Sequence, residues 1–157
     1  MLAKPLRIGL ISDTHGLLRP QALVALGGSD LIIHAGDVGK PEVLAALGKL
    51  APVVAVRGNV DTSHWADVLP QTAVAEAGSV RLYVLHDVQT LDLNPAVAGF
   101  QVVVSGHSHQ LGKFERDGVL YINPGSAGPR RFQVPVSVAR LNLERTPFEV
   151  EFVELEV

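Results

Sequence analysis

Six short apolar runs punctuate this sequence: "RIGLI" (7–11), "LIIHA" (31–35), "VVAV" (53–56), "VRLYVL" (80–85), "FQVVV" (100–104) and "LYI" (120–122). Each stops abruptly in polar residues. Runs of this length, rich in Val, Ile and Leu, read as buried strands. Helix signals lie between the first three. "PQALVALGG" opens with Pro20 and closes in glycines, and "PEVLAALGKL" opens with Pro41 and sets Val43, Leu47 and Leu50 on one face. A βαβαβ beginning implies a parallel sheet.

The second half reads differently. "TAVAEAGSVRLYVL" has the pattern of a hairpin around Gly78-Ser79, "KFERDGVLYIN" of one with Asp117-Gly118 at its turn, and "VSVARLNL" with "FEVEFVELEV" of a third. Parallel units followed by hairpins predict an α/β architecture of two mixed sheets packed face to face with helices outside. With 157 residues, 47% of them hydrophobic and 18% charged, the chain suits one domain, 1–157, with a substantial core. No linker, repeat or low-complexity segment interrupts it.

The polar ends of the runs are the chemically informative part. They are Ser12-Asp13-Thr14-His15-Gly16, Gly36-Asp37, Arg57-Gly58-Asn59, His86-Asp87, Ser105-Gly106-His107-Ser108-His109 and Asn123-Pro124-Gly125-Ser126. In open α/β sheets the carboxyl ends of parallel strands line one edge, where ligands bind, so groups spread over a hundred residues can converge there. Singly, each has a plain structural reading. Asp13 could cap the following helix, Asn59 could occupy a tight turn, and "NPGS" could be a rigid turn supporting its neighbours. His34 reads as a satisfied core histidine, and His64 beside Trp65 as a surface or packing residue. Asp13, His15, Asp37, Asn59, His86, His107 and His109 together are too many for one tetrahedral ion and suit two metals sharing a carboxylate.

Composition narrows the chemistry. The absence of cysteine excludes disulfides and thiolate sites, leaving His, Asp, Glu and Asn as metal ligands. Imidazole with carboxylate and amide ligation favours Mn²⁺, with Fe²⁺, Zn²⁺, Ni²⁺ and Co²⁺ as alternatives, over Mg²⁺ or Ca²⁺. In two-metal sites ions roughly 3.5–4 Å apart activate a bound hydroxide and clamp the oxygens of a displacement at phosphorus. Phosphate-ester hydrolysis is the expected reaction. A net charge of −3, with no basic run beyond Arg130-Arg131, gives no indication of nucleic-acid backbone binding. The apolar start of the chain is broken by Asp13, and no stretch approaches the ~20 residues of a membrane span. The expectation is a soluble, cytoplasmic protein; whether it forms a homo-oligomer is left open.

The ordered series "DTH", "GD", "GN", a lone His after a strand and "GHSH" resembles the calcineurin-like metallophosphoesterase superfamily, and "NPGS" points to its small, cap-less prokaryotic phosphodiesterase branch. The resemblance implies a four-layer αββα sandwich. It implies that Asp13, His15 and His109 hold one ion, that Asn59, His86 and His107 hold the other, and that Asp37 bridges them. It also places Asn59 against the phosphate, so Asp37 and Asn59 stand closest to the chemistry. Arg130 or Arg131, after "NPGS", could hold a substrate phosphate.

The activity so implied is two-metal hydrolysis of a small or exposed phosphodiester. The alternatives are a non-catalytic interaction scaffold like the retromer subunit of the same fold, and a phosphomonoesterase or protein phosphatase. Two positions depart from the family pattern. Many members carry a His after the motif asparagine, thought to protonate the leaving group, where this chain has Val60. The lone His is commonly followed by Gly, where this chain has Asp87, a residue that tolerates left-handed backbone. Asp87 could also orient a ligand histidine, although a solvated loop carboxylate is the plainer reading.

Overall fold

The computed structural model describes residues 6–131 and 133–157. The reading of the apolar start of the chain falls in part on residues 1–5, outside the described residues. Among the described residues, ten strands form two five-stranded sheets. The first contains β1 (Arg7–Ile11), β2 (Leu31–His34), β3 (Val53–Ala55), β9 (Ser137–Asn142) and β10 (Glu149–Glu154), in the order β10-β9-β1-β2-β3. The second contains β4 (Thr72–Ala77), β5 (Val80–Leu85), β6 (Val102–Val104), β7 (Gly112–Arg116) and β8 (Val119–Asn123), in the order β4-β5-β6-β8-β7. As the first three runs imply, β1, β2 and β3 are parallel.

All three expected hairpins form. β4 pairs antiparallel with β5, β7 with β8, and β9 with β10. At the β7–β8 turn Asp117 and Gly118 both have positive φ, as a type I′ turn requires. The second half nevertheless has a parallel centre, because β5 pairs parallel with β6 and β6 with β8. That pairing explains why "VRLYVL" and "FQVVV" are apolar without alternation. Central strands bury both faces, and Val102, Val103 and Val104 are all inaccessible to solvent.

The inner faces meet in one core. Ile8, Leu10 and Ile33 of the first sheet pack with Leu82, Val84, Val102, Val104 and Ile122 of the second. Outside the first sheet lie α1 (Pro20–Ala25) and α2 (Pro41–Gly48), each with proline in its first turn. Val43 and Leu47, one turn apart, bury the inner face of α2. Leu50, expected to continue that stripe, lies beyond the end of α2 and is 39% exposed. Over the outer face of the second sheet the helical layer is thin. There Tyr83, Leu85, Val103 and Tyr121 pack with Phe100, Val88, Leu91 and Leu93, in a segment with one 3₁₀ turn and the one-turn α3 (Pro95–Ala98). No helix among the described residues is long and apolar enough to cross a membrane.

Candidate metal centre

Both parallel triplets end at the same edge of the sandwich, and the loops that leave them interlock. The Asp13 N–H donates to the Gly36 carbonyl at 3.0 Å, His15 N–H to Asp37 O at 2.9 Å and Gly16 N–H to Val38 O at 2.8 Å. Across the two sheets, the His107 N–H donates to Asp13 Oδ2 at 3.1 Å, and the His86 ring bonds to the Ala35 carbonyl at 2.8 Å. Glycine is required where the loops touch. A Cβ on Gly58 would lie 2.1 Å from Asp37 N and Oδ1, and one on Gly106 would lie 2.0 Å from Ser12 Oγ.

The backbone here is strained in a way that marks the site. Among the described residues, six other than glycine have positive φ, and five of them are Asp13 (56°), His15 (49°), Asp37 (56°), His107 (71°) and His109 (64°). Such conformations cost of order 1–3 kcal/mol each and persist only where the surroundings enforce them, typically at functional sites. Asp87 does not share this geometry. Its φ of −118° is ordinary extended backbone, so the left-handed conformation considered for it is not used.

Seven polar side chains converge. The floor is buried: Asp13 is fully inaccessible, and Asp37, His86 and His109 are nearly so. His15 is half-buried, while Asn59 and His107 form an exposed rim. Ligand atoms of Asp13, His15 and His109 lie within 4.8 Å of one another, as do those of Asp13, Asp37 and His86. Asp37 Oδ2 lies 3.7 Å from His15 Nε2 and 3.2 Å from His86 Nε2, reaching both sides. Asp13 is also shared: its Oδ1 is 3.4 Å from His109 Nε2, 3.8 Å from His15 Nε2 and 3.9 Å from His86 Nε2.

Hydrogen bonding decides which atoms are free to bind. The His86 Nδ1–H donates to the Ala35 carbonyl, which leaves Nε2 of the neutral ring bare. That nitrogen faces Asn59 Oδ1 at 3.0 Å, Asp37 Oδ2 at 3.2 Å and His107 Nδ1 at 3.3 Å. Two oxygens and a ring nitrogen crowding one lone pair call for positive charge among them. On the other side, Asp13 Oδ1 and His15 Nε2 are buried without a hydrogen-bond partner. Buried orphans of this kind cost roughly 1–3 kcal/mol each, more when charged. A divalent cation satisfies both.

The electrostatics agree. Burial alone would raise the Asp13 carboxyl, but His15, Ser12, whose hydroxyl donates to Oδ2 at 2.7 Å, and the nearby His86 and His109 bring it below the ordinary value. Burial opposes ionisation of Asp37 too, yet His86 and the Val60 N–H on Oδ1 hold it low. His86 is raised: burial works against its charged form, but Asp37, the Ala35 carbonyl and Asp13 outweigh it. His109 is lowered by burial first and by Arg131 next, against the pull of Asp13.

The remaining singled-out residues separate cleanly. Asp13 does not cap α1, whose N-cap is Arg19. His34 is a satisfied core residue. Its Nδ1 accepts the Gly36 N–H at 3.1 Å, and its Nε2–H reaches Thr14 Oγ1 at 3.0 Å, which donates onward to Val38 O. His64 is fully exposed beside Asp67. Asp87 Oδ1 accepts the Gln89 N–H at 3.0 Å, and its Oδ2 lies 3.8 Å from His107 Nε2. Arg130 and Arg131 are both exposed and line a small crevice with His109. The "NPGS" loop supports the site: Asn123 Nδ2 donates to Gly106 O and Ser108 Oγ, both at 3.0 Å, and the Ser126 hydroxyl to Asp13 O at 3.1 Å. Sequence reading missed Asp61, a buried carboxylate that accepts three backbone amides of the loops bearing Asp37 and Asn59. Its one signal was its place two residues after Asn59.

Comparison with known proteins agrees with this geometry. A probable metallophosphoesterase of Methanothermobacter thermautotrophicus is 36% identical over 156 residues, covering 91% of this chain and 90% of its own. A phosphodiesterase of Methanocaldococcus jannaschii is 27% identical, with 76% and 83% covered. Among solved structures, a predicted phosphoesterase of Streptococcus pneumoniae superposes with a TM-score of 0.75 at 26% identity, covering 100% of this chain and 94% of its own. Vps29 of Chaetomium thermophilum shares the fold at 20% identity, with a TM-score of 0.74 and coverage of 96% and 97%. The model of the calcineurin-like phosphoesterase superfamily domain matches residues 6–146, a span that holds all seven converging side chains, and the chain belongs to that superfamily.

Proposed function

We infer that this chain is a two-metal phosphodiesterase. The observation that carries the inference is the pair of buried orphans, Asp13 Oδ1 and His15 Nε2, beside a bare His86 Nε2 that faces Asp37 and Asn59. Asp13, His15 and His109 would hold one ion, Asn59, His86 and His107 the other, with Asp37 between them. Mn²⁺ is the first candidate for this donor set, and Ni²⁺, Co²⁺, Fe²⁺ and Zn²⁺ are compatible with it. Bound divalent ions supply Lewis acidity and lower the pKa of water, the chemistry that phosphate-ester hydrolysis needs.

The protein's own groups do the positioning. The Asn59 amide stands on the exposed rim with Oδ1 turned toward His86, which leaves its Nδ2 donors for a phosphate oxygen. Arg131, close enough to His109 to depress its basicity, supplies a guanidinium for the same phosphate. Val60, 44% exposed next to Asn59, has no proton to give. His34 is sealed in the core, and the exposed His64 stands beside Asp67. On this reading the leaving group departs with little help from Val60, His34 or His64.

The test is a series of diesters with graded leaving-group pKa, each with its monoester, assayed on chelator-stripped protein with each metal restored. Aryl diesters should react faster than alkyl diesters by more than ~10²-fold, the lower end of what general-acid assistance contributes. Val60→His should narrow that gap from the alkyl side. Faster turnover of monoesters would make the protein a phosphomonoesterase, and no turnover with any metal would favour a scaffold. A flat leaving-group dependence, with chemistry rate-limiting, would reveal a proton donor in the site.

A further inference from the structure

Asp61 is 2% exposed, and its carboxylate is saturated by backbone amides. Oδ2 accepts the Val38 N–H at 3.0 Å and the Gly58 N–H at 2.9 Å, and Oδ1 accepts the Gly39 N–H at 2.9 Å. Val38 and Gly39 follow Asp37 directly, and Gly58 precedes Asn59. One side chain thus ties the loop after β2 to the loop after β3. Hydrogen bonds that a carboxylate accepts from several amides are charge-assisted and roughly twice as strong as neutral ones.

The two loops do not depend on this tie equally. The Asp37 loop has independent moorings: His15 N–H on Asp37 O at 2.9 Å, and Gly16 N–H and the Thr14 hydroxyl on Val38 O, both at 2.8 Å. The loop bearing Asn59 is moored at its start by the Val56 N–H on His34 O at 3.2 Å and the Arg57 N–H on Pro70 O at 2.8 Å, and from Gly58 onward it is joined to the Asp37 loop, among the described residues, by Asp61 and by the Val60 N–H on Asp37 Oδ1. Without Asp61, Asp37 keeps its anchors, while the turn that bears Asn59 keeps only the Val60 N–H on Asp37 Oδ1 beyond the bonds at Val56 and Arg57.

We propose that Asp61 is a positioning residue for one half of the metal centre, holding Asn59 where it completes the set with His86 and His107. This rests on the two-metal reading above. Removing the Asp61 carboxylate loosens the ion on the Asn59 side and spares the ion held by Asp13, His15 and His109. Losing a group that orients a metal ligand typically weakens the ion ~10–100-fold.

The experiment is Mn²⁺ titration of chelator-stripped protein followed by electron paramagnetic resonance, which reads free ion, isolated bound ion and exchange-coupled pair separately. Thermal melting without metal reports whether each variant folds. Wild type should take up two ions with a coupled-pair signal. Asp61→Ala should hold one ion with wild-type affinity, bind the second at least ~10-fold more weakly and show the pair only at higher Mn²⁺. Asp61→Asn should fall between, because one oxygen can still accept from Val38 and Gly58 while its NH₂ faces the Gly39 N–H. If Asp61→Ala does not fold, Asp61→Asn decides on the same criterion. A folded variant that binds both ions normally, or weakens both equally, overturns the proposal, as does an unfolded Asp61→Asn, which would make Asp61 a folding determinant only. Fewer than two ions in wild type would instead defeat the two-metal reading itself, and the proposal with it.

Discussion

The two sheets serve the site unequally. The parallel triplet β1-β2-β3 delivers both carboxylates, the amide and one imidazole, as Asp13, Asp37, Asn59 and His15. The parallel part of the second sheet delivers imidazoles alone, as His86, His107 and His109. The first contribution carries the negative charge, with both carboxylates buried and Asn59 at the exposed rim; the second is neutral when ready to bind and runs from the buried His86 and His109 to the exposed His107. On the proposed two-metal reading, neither sheet could hold a cation pair by itself. Carboxylates buried without partners would repel each other, and imidazoles alone supply no charge to balance two dications. Packing the sheets face to face brings negative charge from one side against lone pairs from the other.

The sharpest way to break this comparison is to remove one ligand from each side. Asp37 reaches both His15 and His86, so Asp37→Ala should empty both positions and lower turnover by more than ~100-fold, beyond the cost of losing a merely supporting group. His107→Ala should remove one ion and leave the other. Metal analysis after gel filtration distinguishes them, and a single ion retained tightly by Asp37→Ala would show that Asp37 does not bridge.

A second measurement contrasts two buried histidines in the metal-free protein. His34 in the first sheet is lowered to about 4, first by burial, with the nearby Asp13 and Asp61 opposing. Above its ordinary value of 6.5 neither the folded nor the unfolded chain carries that proton. As pH falls from 6.5 toward 4 the unfolded chain takes it up and the folded chain does not, so stability declines across that window, by roughly 3 kcal/mol in total. His86 has the opposite sign: its contribution is complete below 6.5 and is lost as pH rises through its raised folded value. Urea melts across this range should show the His34 slope, and His34→Asn should remove it. An unchanged slope in that variant would assign the acid sensitivity elsewhere.

The smallest expected effect concerns the rim. Arg131→Ala should raise KM for a diester about ten-fold, the value of one hydrogen bond to a charged group, with metal content intact. Arg130→Ala should do less, because only Arg131 influences His109. Unchanged kinetics in both variants would remove the pair from substrate binding.

Much of the candidate site was legible before folding because its candidate ligands sit at strand ends. A run such as "FQVVV" stopping at Ser105-Gly106 announces both the strand and the loop that carries His107 and His109. Hairpin turns were legible for the same local reason, Asp117-Gly118 being a turn dipeptide. The parallel centre of the second sheet was not, since β5 and β6 pair across a connection whose sequence gives no pairing signal. The thin cover over Tyr83 and Tyr121 and the early end of α2 before Leu50 were likewise invisible. Asp61 escaped notice because a carboxylate bonded only to backbone amides leaves no partner residue to find in the sequence.

What the sequence determined by itself was the kind of candidate ligand and the strand end at which each appears, because apolar runs and their polar stops are local properties of the chain. Only the tertiary structure decided which ligands meet and in what state. The Ala35 carbonyl selects the His86 tautomer, burial isolates Asp13 Oδ1, and His34 becomes core while the equally polar His109 joins the cluster. These outcomes depend on atoms brought together from residues tens of positions apart. Desolvation and hydrogen bonding act on distance in space, and that distance is set when the two sheets close on each other.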